Sequence, residues 1–281
     1  MLILASFSLL ATLATSDASA GPRAPGTYVL ALGDSVSFGY QSYLFDPTYG
    51  VDLSNTDAFV GYPDYFMDRL VDTSPGKKSE LVNLSCPGES SDSMVSGYCS
   101  YNVDAGLPLH DGYSGAQLDA AEAFLLDNPG KVSPIFVSIG ANDGNALIAA
   151  CGGLDLACIG AGAPGMLANL AVNVDETLDR LTAAAPSAQI ILLEYYNPYY
   201  VADPATDGIA LAINDTVASV ASAYSKVDTV DGYTAINGGG VATVCGYTNF
   251  CTPYVDIHPN DAGHELLSDL FWDASGFSKF E

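Results

Sequence analysis

Five short runs rich in Val, Ile and Leu recur along the chain, at residues 28–32, 80–84, 132–139, 189–194 and 227–230, with helix-length stretches between them. None alternates cleanly between apolar and polar residues. That is the pattern of strands covered on both faces, as in a parallel sheet. The segments near 64–71, 116–126, 166–184 and 209–224 read as helices, and a final helix is expected from Asp261 to about Trp272, capped by Asn260 or Asp261. Five such strands with interposed helices imply a three-layer α/β/α sandwich, whose working site lies at the carboxyl ends of the strands. No internal repeat or composition break interrupts the chain, and Gly238-Gly239-Gly240 reads as a loop. Residues 21–281 are therefore expected to form one domain.

Apolar residues make up 49% of the 281, enough for a full core, and 33 acidic residues against 8 basic ones give a net charge of −25. A surface this negative repels nucleic acid and anionic membranes, which excludes both as partners. Residues 1–20 read as a signal peptide. An apolar run from Leu2 to Ala14 leads to the small residues Ala18-Ser19-Ala20, although no Lys or Arg precedes the run. The run is too short to span a bilayer, which takes about 20 residues, and no other apolar stretch is expected to insert stably. Secretion is therefore expected, and so is a monomer. Six cysteines fit an oxidising compartment and form three close pairs, Cys86 with Cys99, Cys151 with Cys158, and Cys245 with Cys251. Fifteen connectivities are possible, and short loop closure favours the local ones. With no CxxC and three histidines, neither a metal site nor a cofactor is expected.

The first strand runs into Gly33-Asp34-Ser35-Val36-Ser37-Phe38-Gly39. A tight turn after a buried strand projects a hydroxyl from the top of a sheet, and Gly33 permits the sharp backbone. Position 37 is Ser, so this is not the Gly-x-Ser-x-Gly elbow of α/β-hydrolases. A serine hydroxyl needs an adjacent base. Of His110, His258 and His264, only His258 sits in a loop before a helix, where it can lean over the sheet edge. His264 reads as a packing or capping residue and His110 as surface. Two further segments end strands at the same side: Asn83 to Glu89, containing Gly88, and Ser138 to Asp143, containing Asn142. The backbone N–H groups of Ser35 and Gly88 and the Asn142 side chain would supply three donors to an oxyanion.

On these four residues, Ser35, Gly88, Asn142 and His258, the sequence resembles the SGNH hydrolases, also called GDSL esterases and lipases, from about Tyr28 to the last helix. The six cysteines and the Asp-Ile-His-Pro-Asn-Asp-Ala-Gly ending look most like secreted members of the actinobacterial type. The resemblance implies a flavodoxin-like fold with Ser35 as nucleophile and oxyanion donor, Gly88 and Asn142 as further donors, and His258 as base. Two departures stand out. Val36 replaces the usual Leu, which keeps an apolar residue behind the nucleophile. Position 255, three before the histidine, is Val where most relatives carry the triad Asp; Asp256 lies two before it. Either Asp256 orients His258, or a backbone carbonyl near residues 252–254 does.

The substrate is expected to be a lipid or simple acyl ester, with acetylated polysaccharide second. Tyr195, Tyr196, Tyr199, Tyr200, Tyr247, Phe250 and Tyr254 are candidates to wall a cleft, and the aromatic loop 41–62 is a candidate lid or collar. A catalytically inactive cell-surface binding protein is the reading from a different class.

Overall fold

The computed structural model describes residues 25–73 and 78–277; the expected signal peptide lies outside them. Strands β1 (Tyr28–Gly33), β2 (Glu80–Asn83), β3 (Val132–Ser138), β4 (Ile190–Glu194) and β5 (Val227–Asp231) form a parallel sheet in the order β2-β1-β3-β4-β5. The helices are α1 (Ser35–Phe38), α2 (Tyr62–Thr73), α3 (Ser91–Ser96), α4 (Ser100–Val103), α5 (Gln117–Asp127), α6 (Ala141–Ala150), α7 (Leu156–Ala184), α8 (Asp207–Ala221), α9 (Gly232–Asn237), α10 (Val241–Tyr247) and α11 (Asp261–Ser275).

Alternate side chains point to opposite faces of each strand. Leu30, Leu32, Ile135, Val137, Ile190 and Leu192 pack under α3, α5, α7 and α8. Val29, Ala31, Phe136, Ile191, Leu193 and Val230 pack under α2, α9, α10 and α11. Both faces are buried, which is why the strand sequences run apolar without alternation. Each fully buried Leu or Phe contributes about 1.5–3 kcal/mol. The result is the three-layer α/β/α sandwich. Its strand order is the flavodoxin-like one, with the topological switch point between β1 and β3, where a crevice opens beyond the strand ends.

The strands fall on the five expected runs, whereas several helices were not visible in the sequence. Helices α3, α4, α9 and α10 have at most seven residues, and α6 opens on Asn142, Asp143, Gly144 and Asn145, which are poor helix formers held by tertiary contacts. Helix α7 starts ten residues before the expected 166, through Gly160, Gly162, Pro164 and Gly165, residues that mask a helix. With 29 residues and a mean hydropathy of 1.3 over its most apolar window, α7 is long and apolar enough to cross a membrane, contrary to the expectation for this stretch. In the fold, Leu170, Val174, Leu178 and Leu181 line its buried stripe against the sheet.

Disulfides join Cys86 to Cys99, Cys151 to Cys158 and Cys245 to Cys251. The first tethers the turn after β2 to α4, and the third ties α10 to the loop that leads to His258.

His264 is fully buried in α11, and neither ring nitrogen has a hydrogen-bond partner among the described residues. Burial, reinforced by the nearby His258 charge and opposed by Asp256, pushes its imidazole down to about 3 from 6.5. Between those two values the unfolded chain binds a proton that the folded chain refuses, so stability falls as pH drops through that window. The full loss is about 4–5 kcal/mol at about 1.4 kcal/mol per unit. Asp34 and Glu89, whose carboxyls burial raises to about 6 and about 7, act in the opposite sense, losing stability as pH rises through those values. Thermal unfolding of His264→Leu between pH 6.5 and 4 should therefore show a flatter or reversed pH dependence. An unchanged slope would mean that this imidazole is not the acid-sensitive group.

Candidate active site

Strand β1 ends at Gly33, whose φ of 122° lies in the left-handed region. A Cβ there would sit 2.1 Å from the Ser138 carbonyl oxygen of β3, so only glycine lets the two strand ends approach. The chain then turns into α1. Asp34 caps that helix, its Oδ1 accepting from the Val36 N–H at 3.0 Å. Its Oδ2 accepts from the Tyr195 hydroxyl at 2.6 Å, at the end of β4. Burial pushes the Asp34 carboxyl up to about 6 against these hydrogen bonds. Beneath the turn, Ser37 Oγ donates to the Leu32 carbonyl and lies within hydrogen-bond distance of Ser138 Oγ (2.6 Å) and Tyr62 OH (2.9 Å). Ser35 is thus the first residue of a short helix at the switch point, locked from below by buried polar contacts.

Ser35 Oγ lies 2.8 Å from His258 Nε2, and on the far side of the ring Nδ1 lies 2.5 Å from Asp256 Oδ1. The Asp256 carboxylate also accepts the His258 N–H (3.2 Å) and the Ser42 N–H (2.7 Å). Burial alone would raise its carboxyl, but the hydrogen bond and charge of His258, together with these backbone donors, hold it below the usual carboxylate value. Val255, just before Asp256, takes φ 47°, a left-handed conformation that a β-branched residue rarely adopts. Of the two candidate orienters, the carboxylate faces Nδ1, and the Thr252 carbonyl is occupied by the Val255 N–H.

Asn142, at the start of α6, lines the same cleft as Ser35 and His258. Its Nδ2 donates to the Glu89 carbonyl at 2.9 Å, and its Oδ1 accepts from Asn145, which in turn accepts from the Tyr199 hydroxyl. Gly88, at φ 81°, sits on the turn after β2 beside Glu89 and is exposed. It lines a neighbouring depression with Cys86, Ser90 and Tyr98 rather than the cleft itself, and a side chain there would press on the Tyr101 ring at 3.0 Å.

The cleft encloses about 70 Å³ and opens to solvent. Ala141, Ile148, Pro198, Ile209, Ile213 and Ile257 give it an apolar wall. Tyr195 and Tyr196 are 5% and 6% exposed yet line it as well, so they serve core and cleft together. Loop 41–61, expected as a lid or collar, is tied to the segment 249–261 (Ser42 to Asp256, Gln41 to Asp261 and Asn249, and the Tyr254 hydroxyl to Asp46), but none of its residues lines the cleft. The Tyr40 ring stands 4.8 Å from the His258 ring and 6.0 Å from Tyr101.

Sequence reasoning did not find the residues that hold this site together. Asn214 pairs with both backbone groups of Tyr195, and Asn237 pairs with both of Asn197, extending β4 past its last strand partner. Gln117 does the same for Gly33. Long-range amide contacts of this kind carry no local sequence signal. His110, read as surface, is half-buried: its Nε2 lies 3.0 Å from the Phe38 carbonyl and its ring packs on Phe38.

The model of the GDSL-like lipase/acylhydrolase family matches residues 31–266. The structure is similar to LAE5, an α/β hydrolase from the metagenome of Lake Arreo (20% identity, TM-score 0.57), covering 90% of this chain and 97% of that one. It is similar to Axe2, an acetylxylan esterase of Geobacillus stearothermophilus (17%, 0.57, 90% and 95%). It is also similar to phospholipase A1 of Streptomyces albidoflavus (18%, 0.54, 88% and 100%). At these identities the likeness establishes the fold. No curated protein matches the sequence.

Proposed function

The chain belongs to the GDSL-like lipase/acylhydrolase family and is an ester hydrolase, and from that premise we propose that it is a secreted serine hydrolase of lipid or simple acyl esters, with Ser35 as nucleophile, His258 as general base and Asp256 as the group that orients it. The observation that carries this reading is the hydrogen-bonded line from Ser35 Oγ through both nitrogens of His258 to Asp256. Asp256 holds the proton on Nδ1, which leaves the Nε2 lone pair facing Ser35.

His258 takes the Ser35 proton as Oγ attacks the ester carbonyl. The oxyanion of the tetrahedral intermediate rests on the Ser35 and Gly88 N–H groups and on the Asn142 amide. Collapse expels the alcohol, which leaves with the proton from His258. Water then attacks the acyl-Ser35 ester with His258 as base, and the acid departs as Ser35 recovers its proton. No step needs a metal or cofactor. The Asn142 N–H not donated to Glu89 is the one available to the oxyanion. The apolar wall of the cleft suits an acyl chain longer than acetyl. Secretion is supported by three disulfides, which persist in oxidising compartments. A second reading, hydrolysis of acetylated polysaccharide, draws on the exposed Tyr49, Tyr98 and Tyr101, whose faces suit sugar rings.

The test is a panel of p-nitrophenyl esters of graded acyl length run beside acetylated xylan, with fluorophosphonate labelling of the same preparation. Labelling and a rate maximum above acetyl are expected. Preference for acetylated xylan would favour the second reading. Failure to label would remove the activated serine and leave a binding protein.

A further inference from the structure

Glu89 joins two parts of the site that the sequence places far apart. Its side chain is 2% exposed, and its Oε2 accepts from Gln117 Nε2 at 3.1 Å. Gln117, fully buried at the start of α5, pairs with both backbone groups of Gly33: its Oε1 accepts the Gly33 N–H at 2.6 Å and its Nε2 donates to the Gly33 carbonyl at 2.9 Å. Gly33 is the left-handed residue from which the chain turns into Asp34 and Ser35. From its backbone, Glu89 offers the carbonyl that accepts Asn142 Nδ2, and Gly88 is its immediate neighbour. One residue therefore borders the Ser35 turn, the Asn142 amide and the Gly88 N–H.

The carboxyl reinforces the direction that the Gly33 pair already gives the Gln117 amide. A glutamine amide has two nearly isosteric orientations. The Gly33 N–H and carbonyl select the one with Oε1 on the N–H, and the Glu89 acceptor beside Nε2 adds to that preference. We infer that Glu89 is a positioning residue that, by fixing the Gln117 amide, holds the Ser35 turn in register with the Asn142 and Gly88 donors. The other carboxylate oxygen, Oε1, is buried without a hydrogen-bond partner among the described residues.

This inference rests on the proposed acyl-transfer reading, and its test separates the two. Shifts of about an ångström in a reacting group cost on the order of 10²-fold in rate. Glu89→Leu, which removes the acceptor at similar size, should lower kcat about 30- to 100-fold with KM within about twofold, because the acyl cleft is untouched. Glu89→Gln keeps an acceptor oxygen for Gln117 and should return kcat to within about threefold of wild type. Gln117→Leu should show the same kcat loss, and the double variant should be no slower than either single one, as expected of residues acting through one contact. If Glu89→Leu does not fold, Gln117→Leu with Glu89→Gln carries the same comparison. A kcat for the leucine variants within about threefold of wild type would overturn the inference. So would a loss carried by KM, or a glutamine variant as slow as the leucine one. Fluorophosphonate labelling of wild type is the control. Without it the acyl-transfer reading fails; with it, only the positioning role is at stake.

Discussion

Ser35→Ala is expected to leave a folded protein whose turnover of a soluble ester is lower by roughly 10⁶-fold, the scale on which removing a catalytic serine acts in serine hydrolases. The change deletes one oxygen from a residue that is 8% exposed, and the hydrogen bond it breaks is to His258, at the edge of an open cleft. The cost in stability should be about 1 kcal/mol. The turn itself does not depend on that hydroxyl, because Asp34, Ser37, Tyr62, Ser138 and Tyr195 lock it from below. What remains should be the contribution of the oxyanion donors and of binding, on the order of 10³–10⁴ over water. Initial rates with a p-nitrophenyl ester, with thermal unfolding as the control for folding, decide the matter. A variant that folds and hydrolyses at near wild-type rate would show that some other group attacks the carbonyl.

The sheet was legible because strands buried on both faces must be apolar throughout, as Leu30-Ala31-Leu32 and Ile190-Ile191-Leu192-Leu193 are. The segments carrying Ser35, Asn142 and His258 were legible for a related reason. Each follows a strand end or precedes a helix, and the parallel topology gathers such positions on one side. Other features depend on contacts that no local pattern encodes. Gln117 and Glu89 are separated from Gly33 by 84 and 56 positions and meet only through the fold. Helix α6 was hidden because Asn142, Asp143 and Asn145 favour caps and turns. In the structure, the Asp143 carboxylate accepts the N–H and hydroxyl of Ser91, a tertiary tie that outweighs local propensity. The role of Asp256 stayed open for a geometric reason. A two-residue offset does not fix where the carboxylate points, and it is the fold that sets Oδ1 on Nδ1.

Asp256→Asn is the sharpest test of how the base is oriented, with an expected loss of roughly 10⁴-fold in kcat and little change in the fold. In the wild type, one carboxylate oxygen accepts from both the backbone N–H and Nδ1 of His258, and the other accepts from Ser42 N–H at 2.7 Å. An asparagine amide has one oxygen to share between these two sides. Set against Ser42, the shorter backbone contact, it turns its NH₂ toward Nδ1. The imidazole must then present a lone pair there and carry its proton on Nε2, where it can no longer accept from Ser35. The hydrogen-bond geometry survives while the tautomer is wrong, which is why the rate falls much further than stability. If instead a carbonyl of residues 252–254 oriented the ring, the same substitution would leave kcat within a few fold of wild type. Steady-state kinetics of this one variant across neutral pH therefore distinguish a Ser–His–Asp line from a Ser–His pair.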